Sequence, residues 1–188
     1  MLTTLSKLDA VNQILSSIGS DPVTTIADNT DIDVINVLKL LDVTSRNVQR
    51  RGWDFNTGTY KLQPDVNTKK ILWNEEAIKL KGTDGNTYVK RGAYLYDMTN
   101  NKNTFDNAVE VQAVIGVDFE DLPDCFKNYI VAHTAIDFQT RYFGSSDVSQ
   151  DLQLRAQEAY QELVDYDMNM GTYNMLNLPN VADALTRT

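Results

Sequence analysis

Apolar residues along the chain follow two different spacings, and the change between them divides the sequence into three parts. In residues 1–52 and 119–172 they recur at steps of three and four, which is typical of amphipathic helices. In residues 53–118 they form short runs separated by Gly, Asn and Asp, which is typical of strands and turns. The pattern predicts an α+β protein: a bundle of about four helices, an inserted small antiparallel sheet at 53–118, and an extended C-terminal arm at 173–188.

Local signals mark the ends of the predicted helices. Ser6, with Asp9 three residues later, predicts the start of the first helix, which Gly19 ends. The second helix is predicted to begin near Thr30 and to stop at Gly52, after a basic last turn. The other two helices are predicted from Pro123 to Gly144 and from Ser146 or Asp147 to Gly171.

The central part carries several strand and turn signals. The dipeptide Asp84-Gly85 favours positive φ and predicts a hairpin that connects residues 78–80 with residues 88–89. A second turn is predicted at Arg91-Gly92. Residues 109–115 alternate between apolar and polar, as in a half-buried strand. Together the signals predict roughly four or five strands, with candidates at 71–73, 77–81, 88–89, 94–96 and 109–115.

The first boundary between helical and β-type spacing is expected to be a structural joint. Gly52 is expected to stop the second helix, and Trp53 and Phe55 are expected to be buried where the sheet meets the bundle. Just before them, Arg50 and Arg51 are candidates for contact with an anion or an acidic partner. Basic residues at a helix end also commonly pair locally or remain solvated, and both interpretations stay open.

Composition narrows the classes of function. The formal charge of −9 disfavours an ordinary nucleic-acid binder, which needs a basic face to displace counterions from phosphates. The same charge suits a protein past which DNA must move without being held. With Cys125 as its one cysteine, the chain cannot form an internal disulfide, and synthesis in the cytoplasm is expected. No run of about 20 apolar residues predicts a membrane span.

No catalytic, cofactor-binding or metal-binding residue is predicted. His133, the one histidine, lies mid-helix beside apolar residues and is interpreted as structural. The pairs Glu75-Glu76 and Glu120-Asp121 could in principle supply the acid and base of a glycoside hydrolase, but their interpretation as turn and helix-start charges is favoured. Three strand tyrosines are interpreted as sheet packing or a protein interface: Tyr88, Tyr94 and Tyr96.

A series of short motifs supports a family resemblance. They are Asp21-Pro22-Val23 and the residues at 51–56 (RGWDFN), 88–92 (YVKRG), 94–97 (YLYD), 141–144 (RYFG) and 170–176 (MGTYNML). The same motifs recur in the same order in one family, so the chain resembles the tail tubular protein A family, the adaptors of short-tailed phages of the T7 type. The similarity runs from about residue 5 to residue 178.

The resemblance implies a structural role in the virion and no catalytic residue. Such proteins form a dodecameric ring at the head–tail junction, between the portal and the nozzle protein, tail tubular protein B. Tail fibres attach around this junction, and genomic DNA passes through the channel without sequence-specific binding. The resemblance is compatible with a monomeric state of the isolated protein, and it implies no membrane insertion.

Two further expectations concern partners and an alternative activity. The arm carries apolar side chains just past a helix end, so we expect either folding back onto the bundle or docking on another subunit. The residues concerned are Tyr173, Asn174, Met175 and Leu176. Some relatives in phages of capsulated bacteria have been credited with polysaccharide-degrading activity. A virion-associated polysaccharide hydrolase is therefore the alternative function.

Overall fold

The computed structural model describes residues 4–27, 30–142, 144 and 146–171, without the side chains of 146–149. Within these ranges the chain contains helices and two small antiparallel sheets, which confirms the predicted α+β class. The helices are α1 (Lys7–Ser16), α2 (Ile32–Gln49), α3 (Asp124–Tyr142) and α4 (Ser146–Met170). The strands are β1 (Thr57–Leu62), β2 (Ala77–Gly82), β3 (Tyr88–Arg91), β4 (Tyr94–Asp97) and β5 (Val109–Ile115).

Capping residues begin the first two helices close to the predicted positions. The hydroxyl of Ser6 accepts a hydrogen bond from the Asp9 N–H at 3.1 Å, and the Asp9 carboxylate accepts one from the Ser6 N–H. This reciprocal pair satisfies two donors that a helix start otherwise leaves open. The side chain of Asp31 caps α2 by accepting from the Asp33 N–H at 2.8 Å. The expected helix starts are therefore confirmed.

Helix α3 is central to the bundle, because α1, α2 and α4 all pack against it. Phe126 and Phe138 on α3 are fully buried, as are Leu41 on α2 and Leu163 on α4. The small residues of α4 that face this core, Ala156 and Ala159, let the two helices approach closely. Leu152, Ala156, Ala159 and Leu163 are all at most 9% exposed. This stripe has the helical spacing that the sequence predicts.

The strands form two sheets around a second hydrophobic cluster. In the first sheet β5 lies between β1 and β2, with antiparallel pairs such as Thr57↔Val114 and Leu62↔Val109. In the second sheet β3 and β4 form a hairpin. The predicted alternation is confirmed for residues 109–113, where Val109, Val111 and Ala113 are buried and the residues between the three are exposed, but it ends there, since Val114 is buried as well and Ile115 is half-buried. The cluster consists of Ile71, Tyr88, Leu95, Phe105, Val109 and Val111.

The hairpin predicted at Asp84-Gly85 is wrong, because β2 and β3 belong to different sheets. The carboxylate of Asp84 accepts hydrogen bonds from the Asn86 N–H at 3.0 Å and from the Tyr88 hydroxyl at 2.6 Å. This side-chain turn aims Tyr88 inward, against Gly82, where a Cβ would lie 2.6 Å from the tyrosine ring. Burial of Tyr88 in the cluster separates the two strands. The predicted turn at Arg91-Gly92 does join β3 to β4.

The strand predicted at 71–73 is also wrong as a strand. Only an isolated bridge forms there, between Leu72 and Tyr94. The backbone nevertheless covers the outer side of β4, because the Leu95 N–H donates to the Ile71 carbonyl and the Trp73 N–H donates to the Ala93 carbonyl, both at 2.9 Å. The segment is too short and too strongly anchored by buried Ile71 to extend the ladder.

Candidate functional site

Gln49, on the last turn of α2, connects the bundle to the chain returning from the sheet. Its side chain is 3% exposed. The side-chain oxygen accepts from the Val117 N–H at 2.7 Å, and the side-chain nitrogen donates to the Val117 carbonyl at 2.9 Å. The same nitrogen donates to the Ser45 hydroxyl at 3.0 Å. A buried amide with three partners has little freedom to move, so it fixes Val117 against α2.

Asn56 ties down the other connection, where the chain leaves the bundle for the sheet. Its side-chain oxygen accepts from the Trp53 N–H at 2.9 Å. Its side-chain nitrogen donates to the carbonyls of Gln49 and Ile115, each at 3.1 Å. The residue is 4% exposed. Both connections between the bundle and the sheet are therefore held by buried amides, and both are held to the end of α2.

An aromatic group packs beneath these hydrogen bonds. The rings of Trp53 and Phe55 lie 5.3 Å and 4.5 Å from the ring of Phe126, centroid to centroid. Tyr166 of α4 contacts the same ring edge-on at 6.2 Å. The Trp53 indole N–H donates to the Val48 carbonyl at 2.7 Å. Trp53 and Phe55 do lie where the two parts meet.

Burial of Trp53 and Phe55 is partial: both side chains are half-buried and pack against the core of the bundle. The rings of Trp53 and Phe126 meet edge-on, the Phe55 ring is tilted against the same ring, and Phe55 belongs to the short turn at residues 54–56. The joint is therefore closed mainly by Phe126 and the two buried amides.

Gly52 sits between the helix end and the aromatic group, with φ of +81°. A Cβ at this position would lie 3.0 Å from Val114 Cγ2 and 3.3 Å from Thr57 Oγ1. Both the backbone conformation and the close approach of β5 and β1 thus require glycine. The residue lets the chain turn from α2 directly onto the sheet.

Helix α4 is attached to the same joint from the other side. Asp167 accepts a hydrogen bond from the Asp54 N–H at 2.9 Å. Along α4 the apolar stripe continues beyond Leu163, but Tyr166 and Met170 are 37% and 50% exposed. Here α4 packs against the turn at residues 54–56, so the C-terminal end of α4 is attached to the joint.

Of the residues predicted to contact a partner, Arg50 and Arg51 lie exposed at the end of α2. The guanidinium of Arg51 lies over the Tyr160 ring at 5.9 Å and donates to its hydroxyl at 3.4 Å. Tyr129 stacks on Tyr160 at 5.3 Å, and burial raises the pKa of Tyr129. Arg51 thus has a partner on α4 within its own chain. The other predicted contact residues, Tyr173, Asn174, Met175 and Leu176, lie outside the described residues.

The candidate acids occupy structural positions. Glu75 forms an ion pair with Lys90, and the Glu120 side chain accepts from the Lys7 N–H at 2.9 Å. Glu75 and Glu76 line a groove beside α2 that does not include Glu120 or Asp121. In the described ranges, no three His, Cys, Asp or Glu side chains are grouped so that they could hold a metal ion.

The remaining candidates also have ordinary surroundings. His133 is about half exposed, and its Nδ1 lies 3.8 Å from an Asp137 oxygen. Cys125 is half-buried, and this burial raises the pKa of its thiol, which opposes formation of a nucleophilic thiolate. Tyr88 is buried between the sheets. The guanidinium carbon of Arg91 lies 3.6 Å from the centroid of the Tyr96 ring.

Gln49 and Asn56 are the important residues that the sequence reasoning missed. One signal was present: Gln49 lies four residues after Ser45 and next to Val48 on the apolar side of α2. A polar side chain on the buried side of a helix needs hydrogen-bond partners. Lys127 was likewise missed; it is 1% exposed, and its ammonium donates to the Glu120 carbonyl at 2.8 Å.

Comparison with known proteins agrees with this architecture. A family described as tail tubular protein matches residues 8–173 of the chain. Tail tubular protein A of Klebsiella phage KP34 is 29% identical over 132 residues, which are 69% of this chain and 69% of that protein. The family match covers most of both helical segments and the whole sheet region. The chain belongs to the tail tubular protein family, whose members are structural components of phage tails.

Proposed function

We propose that this tail protein is the head–tail adaptor of a short-tailed phage. Copies of the chain close a dodecameric ring between the portal and the nozzle, the isolated chain is a monomer, and the genome leaves through the ring. Tail fibres attach beside it. The proposal extends the family assignment, which supports a structural tail protein.

The rigid joint between the bundle and the sheet is the observation that supports the proposal most directly. An adaptor has to hold one partner at a defined angle to another, so its two parts cannot rotate freely. Buried amides at Gln49 and Asn56 tie both connections to one helix end, and such satisfied polar networks favour a single arrangement. A protein that only bound a peptide or sugar would not need a fixed angle between the bundle and the sheet.

Exposed apolar side chains support contacts with neighbours on two sides. On α2, Ile32 and Val43 are 71% and 55% exposed. On α4, Leu154 is 62% exposed. Exposed apolar positions on two different helices suit the head-to-tail contacts of a ring, in which each subunit uses two different surfaces.

An acidic stripe on α4 supports passage of DNA. Glu158, Glu162 and Asp165 are exposed and follow one another at steps of four and three, so they share one helix face. We propose that this face lines the channel, where carboxylates repel phosphate and keep DNA from binding.

Mixing the protein with purified portal rings tests the proposal. The isolated protein is expected to have the mass of a monomer, because ring closure uses the portal as a template. With portal present, native mass spectrometry is expected to show a portal ring carrying a full ring of this chain. Absence of any complex at micromolar concentrations of both proteins would contradict the adaptor role.

Neutralising the acidic stripe tests the channel separately. Phages carrying Glu158→Gln, Glu162→Gln and Asp165→Asn together are expected to assemble normally but to eject DNA more slowly at low salt. The matched control neutralises three exposed acids of the sheet region: Glu76→Gln, Asp106→Asn and Glu110→Gln. Equal ejection rates for both triple variants would contradict the proposal that the acidic stripe lines the channel wall.

A further inference from the structure

The free edge of β1 differs from the other sheet edges in the described part of the chain. β1 has β5 on one side, and no described backbone group bonds to its other side. β2 carries Lys79 and Lys81 and has a register shift in its ladder with β5, and β3 carries Lys90 and Arg91. Charges and bulges of this kind prevent unwanted strand pairing. β1 has only one charged residue, Lys61, and no bulge, so its edge is open to an added strand.

The apolar layer beneath β1 is open on the same side. Tyr60 points toward the cluster between the two sheets but is 43% exposed, and Leu72 beside it is 68% exposed. Both line a cavity of about 40 Å³ whose walls are almost entirely apolar. The remaining wall residues are Leu62, Trp73, Asn74, Ala77, Leu80, Leu95, Val111, Ala113 and Ile115. An apolar side chain that enters from the β1 edge would be covered without disturbing a hydrogen bond.

Charge indicates what kind of strand fits. Lys61 is exposed on β1, where its register partner on β5 is Glu110, and the ammonium of Lys70 lies 5.0 Å from the ring of Tyr94, which forms a bridge with Leu72. No carboxylate lines the cavity. The free edges of β2 and β3 are basic as well, so pairing with the same edges of a second copy would bring like charges together.

We propose that β1 binds an extended segment of a different virion protein, which adds as a strand along residues 57–62. The segment carries an apolar side chain that covers Tyr60 and Leu72, and a carboxylate opposite Lys61. Main-chain hydrogen bonds hold the segment, and the apolar contact and the charge select it. This interaction rests on membership of the virion tail and does not depend on a ring or on the portal.

Site-specific photocross-linking in purified phage particles tests the proposal. A benzophenone side chain at position 60, in place of Tyr60, is expected to cross-link to an acidic extended segment of another virion protein. Mass spectrometry of the cross-linked peptide identifies the segment. The control position is Met98, which is 48% exposed just after β4, and no cross-link to that segment is expected there. A cross-link from position 60 to a second copy, or to this chain's own residues 172–188, would overturn the proposal, as would no cross-link.

Two further measurements distinguish strand addition from simple proximity. The β1 amides that do not bond to β5 are expected to exchange with deuterium at least about tenfold more slowly in the particle than in the free protein. Lys61→Glu is expected to reduce the yield of the cross-link several-fold, whereas Lys81→Glu, on the far strand of the same sheet, is expected to leave it unchanged. Unchanged exchange or equal yields would contradict strand addition. Absence of the chain from the particle would instead contradict its role as a tail component.

Discussion

Gln49 and Val117 form a closed pair of hydrogen bonds, in which the side-chain amide of one residue satisfies both backbone groups of the other. The two distances are 2.7 Å and 2.9 Å, and the residues are 68 positions apart in the chain. The pair therefore closes the whole sheet region into a loop that begins and ends at one helix turn. An interaction of this kind fixes the position of the sheet relative to the bundle more strongly than apolar contacts alone, because hydrogen bonds are directional.

Gln49→Leu should lower the free energy of unfolding by about 2–4 kcal/mol. The substitution removes three hydrogen bonds and leaves the partly buried backbone groups of Val117 without their partner. Urea unfolding followed by circular dichroism measures the change. Gln153→Leu, at an exposed position of α4, is the control and should change the stability by less than about 0.5 kcal/mol. Equal stabilities of the two variants would show that the pair does not hold the joint.

Gly52→Ala should be clearly more harmful than Gly85→Ala. Both glycines have φ near +80°, so both variants place alanine in a left-handed conformation, which costs about 1–2 kcal/mol. Only at Gly52 would the new Cβ also press on Val114 Cγ2, at 3.0 Å, since nothing lies within 4 Å at Gly85. The difference between the two unfolding free energies isolates this contact. A difference of zero would mean that β5 moves away without cost.

Trp53→Ala should destabilise the protein by about 3 kcal/mol, because it removes the edge-to-face contact with Phe126 and the hydrogen bond to Val48. Trp53→Phe keeps an aromatic ring and loses the indole N–H, so it should cost only about 1 kcal/mol. Chemical denaturation of both variants provides the comparison. If Trp53→Ala costs less than about 1 kcal/mol, the segment is only a linker.

Stability should fall at alkaline pH because of Tyr88. Burial, together with its hydrogen bond to Asp84, raises the pKa of Tyr88 to about 12 from its ordinary value of 10.0. The unfolded chain therefore loses this proton at lower pH than the folded chain does. The corresponding stability is present below pH 10 and is lost as the pH rises from 10 toward 12.

The variant Tyr88→Phe checks the assignment. Its unfolding free energy should depend less on pH between 10 and 12 than that of the unsubstituted protein. Tyrosinate absorbance, followed in the folded protein, should show one fewer residue titrating near pH 12. The same pH slope in both proteins would assign the alkaline loss to another group.

Removal of residues 172–188 should leave a folded protein that no longer joins the portal. All the buried residues of α4, up to Leu163, are retained in the truncated chain. Near-ultraviolet circular dichroism should therefore be unchanged, while the complex with portal rings should be lost from native mass spectra. Normal assembly of the truncated protein would show that the arm does not contact the portal.

Local interactions that can be recognised in the sequence were sufficient to predict most of the helices and strands. Ser6 with Asp9, the acidic start of α2, and the regular steps of α4 each act within one or two helical turns. The alternation of residues 109–115 likewise depends only on which face of a strand is buried. These features need no knowledge of distant residues, so their patterns alone predicted the α+β class.

Long-range pairing was decided only in the tertiary structure. Residues 84–85 have the local signal of a hairpin, yet β2 pairs with β5 because Tyr88 is buried between the sheets. Gln49 and Asn56 are ordinary polar residues in the sequence, and their partners Val117 and Ile115 come from the other end of the insertion. Which distant groups meet depends on the packing of the whole chain. The sequence by itself thus determined the helices, the alternating strand and the family, whereas the fixed joint between bundle and sheet depends on contacts such as Asn56 with Ile115 and Gln49 with Val117, which span 59 and 68 residues.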